Sequence, residues 1–396
     1  MLVVTVAVAG GLAARGASSS DSSAATRLVF GAKNASSPIV FGASISLTGS
    51  FAGSADYALK GYQLWVSEAN HHGGILGRQI KMVVYDDQSS AGTAARLYQK
   101  LISEDNVDFI LGPYASGITQ AVAPFAEKYQ KVMVGPEASA SSIYDDTKWN
   151  VQAITSADRY LVAVDDLAKK GGYTKIALFT NNTPATTRMC AAVKARALAY
   201  HMDVVFEKTY PNGTSDFSSL VLAAKGENPT TVVGCTYLPD SIAITRELNS
   251  QGVKPKLLAF SIGPVEPDFG KSLGDLANGV LGSTTWWASL KTKGNKGFVT
   301  DFTKKFGKPP EYHAAASYGA LQALGAAIKQ TKSLDQGKIR AAIGKLQIRT
   351  VNGPFKIDAT GHQSGYKSYL MQWINGQQKL VWPPKIREAP AKLPSR

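Results

Sequence analysis

The chain has 396 residues, of which 44% are hydrophobic and 18% charged, and its formal net charge is +14. That length is more than one ordinary core needs and points to two domains, with ample apolar material to bury. The 43 lysines and arginines are spread through every segment rather than clustered, which reads as a solvated basic surface and argues against a nucleic-acid partner.

Met1 to Ala14, MLVVTVAVAGGLAA, is apolar but too short to span a bilayer comfortably, and it runs into a tract rich in Ser and Ala. That is the pattern of a secretion-signal core, so an exported, extracytoplasmic chain is predicted. Leu12 to Gly16 looks like a bacterial lipobox in which Arg15 stands where the lipidated cysteine belongs. Arginine carries no thioether lipid, which puts an anchor in doubt. Residues 1–37 are therefore assigned to a signal-like leader and a flexible tether.

Ile39 to Phe41 opens a short apolar run, SLTGSFAG follows, and from Tyr57 the spacing through Leu64, Trp65 and Ala69 predicts a helix stopped by Gly73 and Gly74. Ile80 to Tyr85 predicts a β-branched strand, Ala91 to Glu104 a helix, and Phe109 to Leu111 another strand. Strand and helix in alternation predict a parallel sheet with its binding loops at the strands' carboxyl ends. The first half-sheet runs to about Val134, and Trp149 to Ser156 reads as extended before a helix over Asp158 to Lys170. A second series then begins, with strands at Lys175 to Phe179, Val204 to Tyr210, Thr231 to Tyr237 and Lys256 to Phe260. After Gly279 to Thr285, helices are predicted over Gly297 to Phe306 and Ala314 to Gln330, and short strands follow. The fold class is α/β, with two doubly wound parallel-sheet lobes.

No Walker loop, GxSxG elbow, HExxH helix or paired CxxC occurs, so neither enzyme machinery nor a cofactor site is visible. His71 and His72 sit at a helix end, where a dipole interaction is the ordinary role and metal ligation the rarer one. Asp86 and Asp87 imitate a catalytic pair, but at a strand exit before Ser89 and Ser90 they suit turns and helix caps. Cys190 and Cys235 leave two readings open: one disulfide in an exported chain, or two buried thiols.

A set of ordered motifs resembles the type I periplasmic solute-binding proteins of ABC transporters, in the branched-chain amino acid and amide group. It comprises SLTGSFAG at Ser46 to Gly53, KGYQLWVSEANHHGGILGRQI at Lys60 to Ile80, YDDQSS at Tyr85 to Ser90, LGPYASGITQAVAPFAEKYQ at Leu111 to Gln130 and GPEASA at Gly135 to Ala140. TYLPD at Thr236 to Asp240, SYGALQAL at Ser317 to Leu324 and NGPFKIDATGHQ at Asn352 to Gln363 extend the match over nearly the whole mature chain. The resemblance implies three crossings between lobes, near Gln152, Thr285 and Val351. Residues 38–151 plus 286–350 then form one lobe, and 152–285 plus 351–390 the other, joined by a hinge that lets two bodies close on a solute. It also implies an ABC permease with its ATPase as partner, membrane contact only through that permease or an anchor, and a monomer. Ser89 and Ala115 stand where relatives often carry a first-lobe disulfide.

By the same resemblance Ser116 hydrogen-bonds a ligand carboxylate, with Ser139 and the carbonyl of Ala138 beside it; both serines also suit N-caps, and the two roles coexist. Tyr237 faces the ligand from the second lobe. A further tyrosine of the family falls near Ala185, and a first-loop aromatic at Phe51 or Ala52, so one aromatic wall is lost or moved; Tyr114 lies nearby. The family's acid for the ligand amine falls at Ser261. A buried ammonium without an anion is costly, so Ser261 argues for a small carboxylate or amide, aromatic in body and lacking an α-amino group, unless Glu137 or Glu266 compensates from a shifted position. Glu137 otherwise reads as a solvent-facing loop charge. A sensor of the same fold that signals rather than transports is the alternative function.

Overall fold

The computed structural model describes residues 25–32 and 37–394. The apolar leader and the lipobox-like segment lie outside the described residues.

Strand β1 (Arg27–Gly31) corrects the expectation of a tether reaching residue 37. Its RLVF run pairs antiparallel with the strand at Ile80–Asp86, placing Arg27 opposite Tyr85 and Gly31 opposite Lys81. The pairing satisfies backbone groups that a bare sheet edge would leave open. Next come β2 (Ile39–Ile45), α1 (Ala52–His71), β3 (Ile80–Asp86), α2 (Ala91–Ser103), β4 (Phe109–Leu111), α3 (Ser116–Tyr129), β5 (Met133–Gly135) and β6 (Asn150–Gln152). They build a six-stranded sheet in the order β1-β3-β2-β4-β5-β6, parallel apart from β1. Ile39, Phe41, Ala43 and Ile45 on one face of β2 and Gly42 and Ser44 on the other are buried, as expected of a strand covered on both faces.

The second lobe opens with a 3-10 turn at Ala157–Arg159 and α4 (Val162–Gly171), where the sequence predicts one continuous helix. The turn's Ala157 N–H is held by the Ser139 carbonyl of the first lobe, so the chain bends before α4 begins. β7 (Lys175–Asn181), α5 (Pro184–Ala199), β8 (Asp203–Tyr210), α6 (Ser218–Gly226), β9 (Thr231–Cys235), α7 (Leu238–Ser250), β10 (Leu257–Phe260), α8 (Pro267–Leu273) and β11 (Leu281–Thr284) continue the alternation. The chain then returns to the first lobe as α9 (Asn295–Phe306), α10 (Tyr312–Thr331) and α11 (Gln336–Lys345). Helix α10 lies so close along α1 that a β-carbon at Gly61 would stand 2.3 Å from the Ala314 carbonyl oxygen. A hairpin of β12 (Ile348–Thr350) and β13 (Gly353–Phe355) precedes β14 (Tyr369–Ile374) and β15 (Gln377–Trp382), which complete a seven-stranded sheet ordered β15-β14-β11-β10-β9-β7-β8. In that sheet β14 runs antiparallel to both of its neighbours, β11 and β15, and every other pair is parallel.

Gln152, the last residue of β6, binds the returning chain: its N–H donates to the Gly361 carbonyl, and its side-chain oxygen accepts from the Gln363 N–H. Thr155 donates to the Lys367 carbonyl just beyond. Cys190 of α5 and Cys235 of β9 are disulfide-bonded, which decides between the two readings of the cysteines. Among the described residues no helix is long and apolar enough to cross a membrane.

Candidate functional site

Strand order locates the site. In the first sheet β2 lies between β3 and β4, and in the second β7 lies between β8 and β9, so the helical connections diverge to opposite faces there. Such switch points open a crevice at the strands' carboxyl ends. The loops after β2, β4, β7 and β9 carry Phe51, Tyr114, Thr183 and Tyr237, and these loops face one another across the two lobes.

Asp86 and Asp87 hold the first of these loops. Asp86 Oδ1 accepts from the N–H groups of Leu47, Thr48 and Gln88, and its Oδ2 from the Thr48 hydroxyl. Asp87 accepts from the hydroxyls of Ser44 and Ser46 and from Ser89 N–H. Ser89 Oγ then accepts from Phe51 N–H and donates to the Thr48 carbonyl. The cap of α2 is Ser90, which accepts from Thr93 N–H, so the paired aspartates organise a turn rather than a reaction.

Thus positioned, the Phe51 ring lies 5.5 Å from Tyr114 in its own lobe and 4.9 Å from Tyr237 in the other. Tyr237 Oη shares a hydrogen bond with Thr183 Oγ1, and burial raises its phenol to about 12, so it stays a neutral donor. Ala185 lies buried in the first turn of α5. The starts of α3 and α5 approach end to end: a β-carbon at Gly117 would lie 3.8 Å from Pro184 Cδ. Two helix amino termini meeting in a crevice create positive potential and free N–H groups there, a setting for a carboxylate.

Ser116 is the first residue of α3 and not its cap, which is Ala115; its Oγ accepts from Ala140 N–H. The Ala138 carbonyl accepts from Tyr144 Oη, and the Ser139 side chain faces the hydroxyl of Tyr160. Ser116 follows the loop after β4 that carries Tyr114, and Ala138 and Ser139 sit on the loop after β5.

Two expected residues are placed elsewhere. Glu137 is no solvent-facing charge: it is buried against α10, where His313 Nδ1 lies 2.7 Å from Oε2 and Ser317 Oγ donates to Oε1 at 2.8 Å. Desolvation pushes its carboxyl well up, and the same burial pushes the His313 imidazole down, so the pair is held without net charge. Ser261 is spent inside the second lobe, accepting from Thr236 N–H and donating to the Thr236 carbonyl. Five residues on from Ser261 stands Glu266. Glu266 is 2% exposed and accepts from Ser54 Oγ of α1 across the lobes at 2.6 Å.

His313, Thr183, Tyr160 and Ser54 are the polar neighbours that sequence reasoning missed. Ser54 was legible as one more hydroxyl in the SLTGSFAGS loop; His313, nearly 200 residues from Tyr114, had no local signal. Outside the Phe51–Tyr237 pair, a cavity of about 290 Å³ is lined from both lobes by Ser50, Phe51, Gly213, Thr214, Tyr237 and Asp240. A second cavity, of about 330 Å³, is formed by second-lobe residues such as Tyr173 and Trp382 and by none of the switch-point loops. Among the described residues no group of three or more metal-ligating side chains assembles; His72 Nδ1 lies instead 2.7 Å from the Glu68 carbonyl.

Two doubly wound lobes with their switch points face to face define a bilobed solute-binding protein. Residues 38–378 match the family described as periplasmic binding protein, and the chain belongs to that family, whose members bind solutes rather than transform them. It is 26% identical over 390 residues to Leu/Ile/Val-binding protein homolog 7 of Brucella suis biovar 1, covering 93% of this chain and 97% of that one. The Leu/Ile/Val-binding protein of Escherichia coli K12 is 25% identical over 333 residues, with 83% and 89% covered. A branched-chain amino acid transporter substrate binding protein of Streptococcus pneumoniae, solved in complex with isoleucine, superposes with a TM-score of 0.80 at 22% identity, covering 88% of this chain and all of that one. An ABC transporter solute binding protein of R. palustris in complex with 4-hydroxybenzoate gives 0.78 at 23% identity, with 86% and 95% covered.

Proposed function

We propose that this chain is the extracytoplasmic solute-binding component of an ABC importer. It traps a small carboxylate-bearing solute between its lobes and presents the closed form to a permease with its ATPase. The reading rests on one observation above others: the four switch-point loops of the two lobes converge on the Phe51–Tyr237 contact. A solute that touches both walls there shifts the open and closed populations, because only differential contact with the two states moves the equilibrium. The chain segments near Gln152, Thr285 and Val351 act as the hinge, and the protein works as an exported monomer.

For the solute, the facing ends of α3 and α5 with Ser116 and Ser139 suit the carboxylate, and Phe51, Tyr114 and Tyr237 suit a branched or aromatic body. Glu266 supplies an acceptor on the second wall, so a donor group on the solute, ammonium or hydroxyl, has a place as well. This replaces the expectation of an amine-free solute, which rested on Ser261. The relatives named for leucine, isoleucine and valine and the neighbour holding 4-hydroxybenzoate support the same span of chemistry. Titration calorimetry with isoleucine, leucine, benzoate and 4-hydroxybenzoate tests it. One of these binding at one per chain, and more weakly to Tyr237→Ala, is the expected result; no heat from any of them would discard the solute class.

A further inference from the structure

The cap position of α8 is occupied by Glu266, yet its side chain caps nothing on its own helix. It crosses to the first lobe and accepts from Ser54 Oγ. Both residues are buried, at 2% and 7% exposure, so the bond exists only while the lobes are together.

The groups facing Glu266 come from four elements. Ser54 and Tyr57 belong to α1, Tyr114 to the loop after β4, and Glu311, Tyr312 and His313 to the start of α10; Asp268 lies on Glu266's own helix. No lysine or arginine is among them. The one base, His313, has Nδ1 engaged by Glu137. Glu311 is itself buried: Oε1 accepts from the N–H groups of His313 and Ala314, while Oε2 has no partner. An ionised Glu266 would stand in this enclosure against a second carboxylate, with a single hydroxyl to solvate it. Such a charge is costly when dry and costs little when water reaches it.

We infer that the Ser54–Glu266 contact is a latch between the lobes, and that a proton is taken up on Glu266 when it closes. Protonated, the carboxyl accepts from Ser54 through one oxygen and carries its own proton on the other, with no net charge to desolvate. Opening admits water, and the group ionises. Burial raises the Glu266 carboxyl above its ordinary range, in the direction this cycle requires. The closed population therefore grows as pH falls through the closed-state value and shrinks above it. A solute ammonium that reaches Glu266 would take the proton's place, whereas an anionic solute would bind more tightly in acid.

The inference rests on the closure proposed above but not on the identity of the solute, so its test uses the full chain without one. Small-angle X-ray scattering from pH 5 to pH 8 should show the radius of gyration rising with pH in the parent protein. In Glu266→Gln, which keeps the Ser54 bond and holds no ionisable proton, the compact value should persist throughout. In Ser54→Ala, which leaves the carboxyl in place without its donor, the rise should begin at a lower pH. Far-ultraviolet circular dichroism of each variant confirms that it is folded. A parent radius independent of pH would overturn the latch, and so would a pH dependence retained in Glu266→Gln; either result leaves the calorimetric test of the solute untouched.

Discussion

The two walls of the cleft are built by different means. On the first wall, side-chain carboxylates hold the loops: Asp86 and Asp87 gather the turn that delivers Phe51, and Glu137 joins the loop after β5 to α10. On the second, the loops hang on a covalent bond between α5 and β9 and on Asp240, which accepts from Asn181 and Tyr210 beneath Tyr237. Both walls should therefore answer to the loss of an acid, but only the second to reduction. The helices that follow these loops bring the same positive ends into the crevice from both sides.

The comparison breaks most visibly at the disulfide. Cys190 and Cys235 close a 45-residue segment, and removing such a link is expected to cost about 4 kcal/mol on chain-entropy grounds. Urea unfolding of Cys190→Ser/Cys235→Ser against the parent measures it, and a difference that disappears when the parent is reduced would tie the second wall to its covalent bond. Next is Asp87→Ala, which strands two buried serine hydroxyls and the Ser89 N–H; it should destabilise by about 3 kcal/mol and loosen the Phe51 loop. An unfolding midpoint unchanged by Asp87→Ala would show that the first wall does not depend on its acids.

Effects on solute capture should be smaller than these. Tyr237→Ala, which removes the ring that meets Phe51, is expected to weaken affinity about 30-fold, or roughly 2 kcal/mol, chiefly through faster release. Ser116→Ala should weaken it about 5-fold, near 1 kcal/mol. Calorimetry or surface-immobilised binding with the best-bound acid separates the two.

The last effect lies away from the cleft. Asp165 of α4 is buried with neither carboxylate oxygen hydrogen-bonded, and burial raises it to about 8 from 3.8. Between those values the unfolded chain releases a proton that the folded chain keeps, so this group makes the fold less stable as pH rises from about 4 to 8. Asp165→Asn should raise the melting temperature at pH 8 and leave it nearly unchanged at pH 4. An equal gain at both values would assign the effect to packing instead of charge.

Much of the fold was legible because buried parallel strands are written as β-branched runs and their helices by apolar spacing. IKMVVY and TVVGC are strands in the structure, and the helix at Ala91–Ser103 differs from its expected end by one residue. Strand β1 was hidden because RLVFG is short and follows a Ser-rich tract, and its partner is an edge more than 50 residues on. The aromatic positions Phe51, Tyr114 and Tyr237 were placed by motif order, since each lies on the loop that follows a strand. Glu137 and Ser261 were misread for a common reason. A loop position tells which strand a residue follows, but not whether its side chain turns into the lobe, as Glu137 does toward His313, or bridges two strand ends, as Ser261 does. Glu266 and Ser54 met for a reason no local pattern carries: 212 residues separate them.

The central claim is that one small acid is held between the lobes by contacts from both. Mass spectrometry of solute released from freshly purified, denatured protein tests it most directly, comparing the parent with Ser116→Ala/Tyr237→Ala. A single carboxylate-bearing compound, near one per chain in the parent and absent from the double variant, is the predicted result. The same compound retained equally by the variant would place the binding site somewhere other than this cleft.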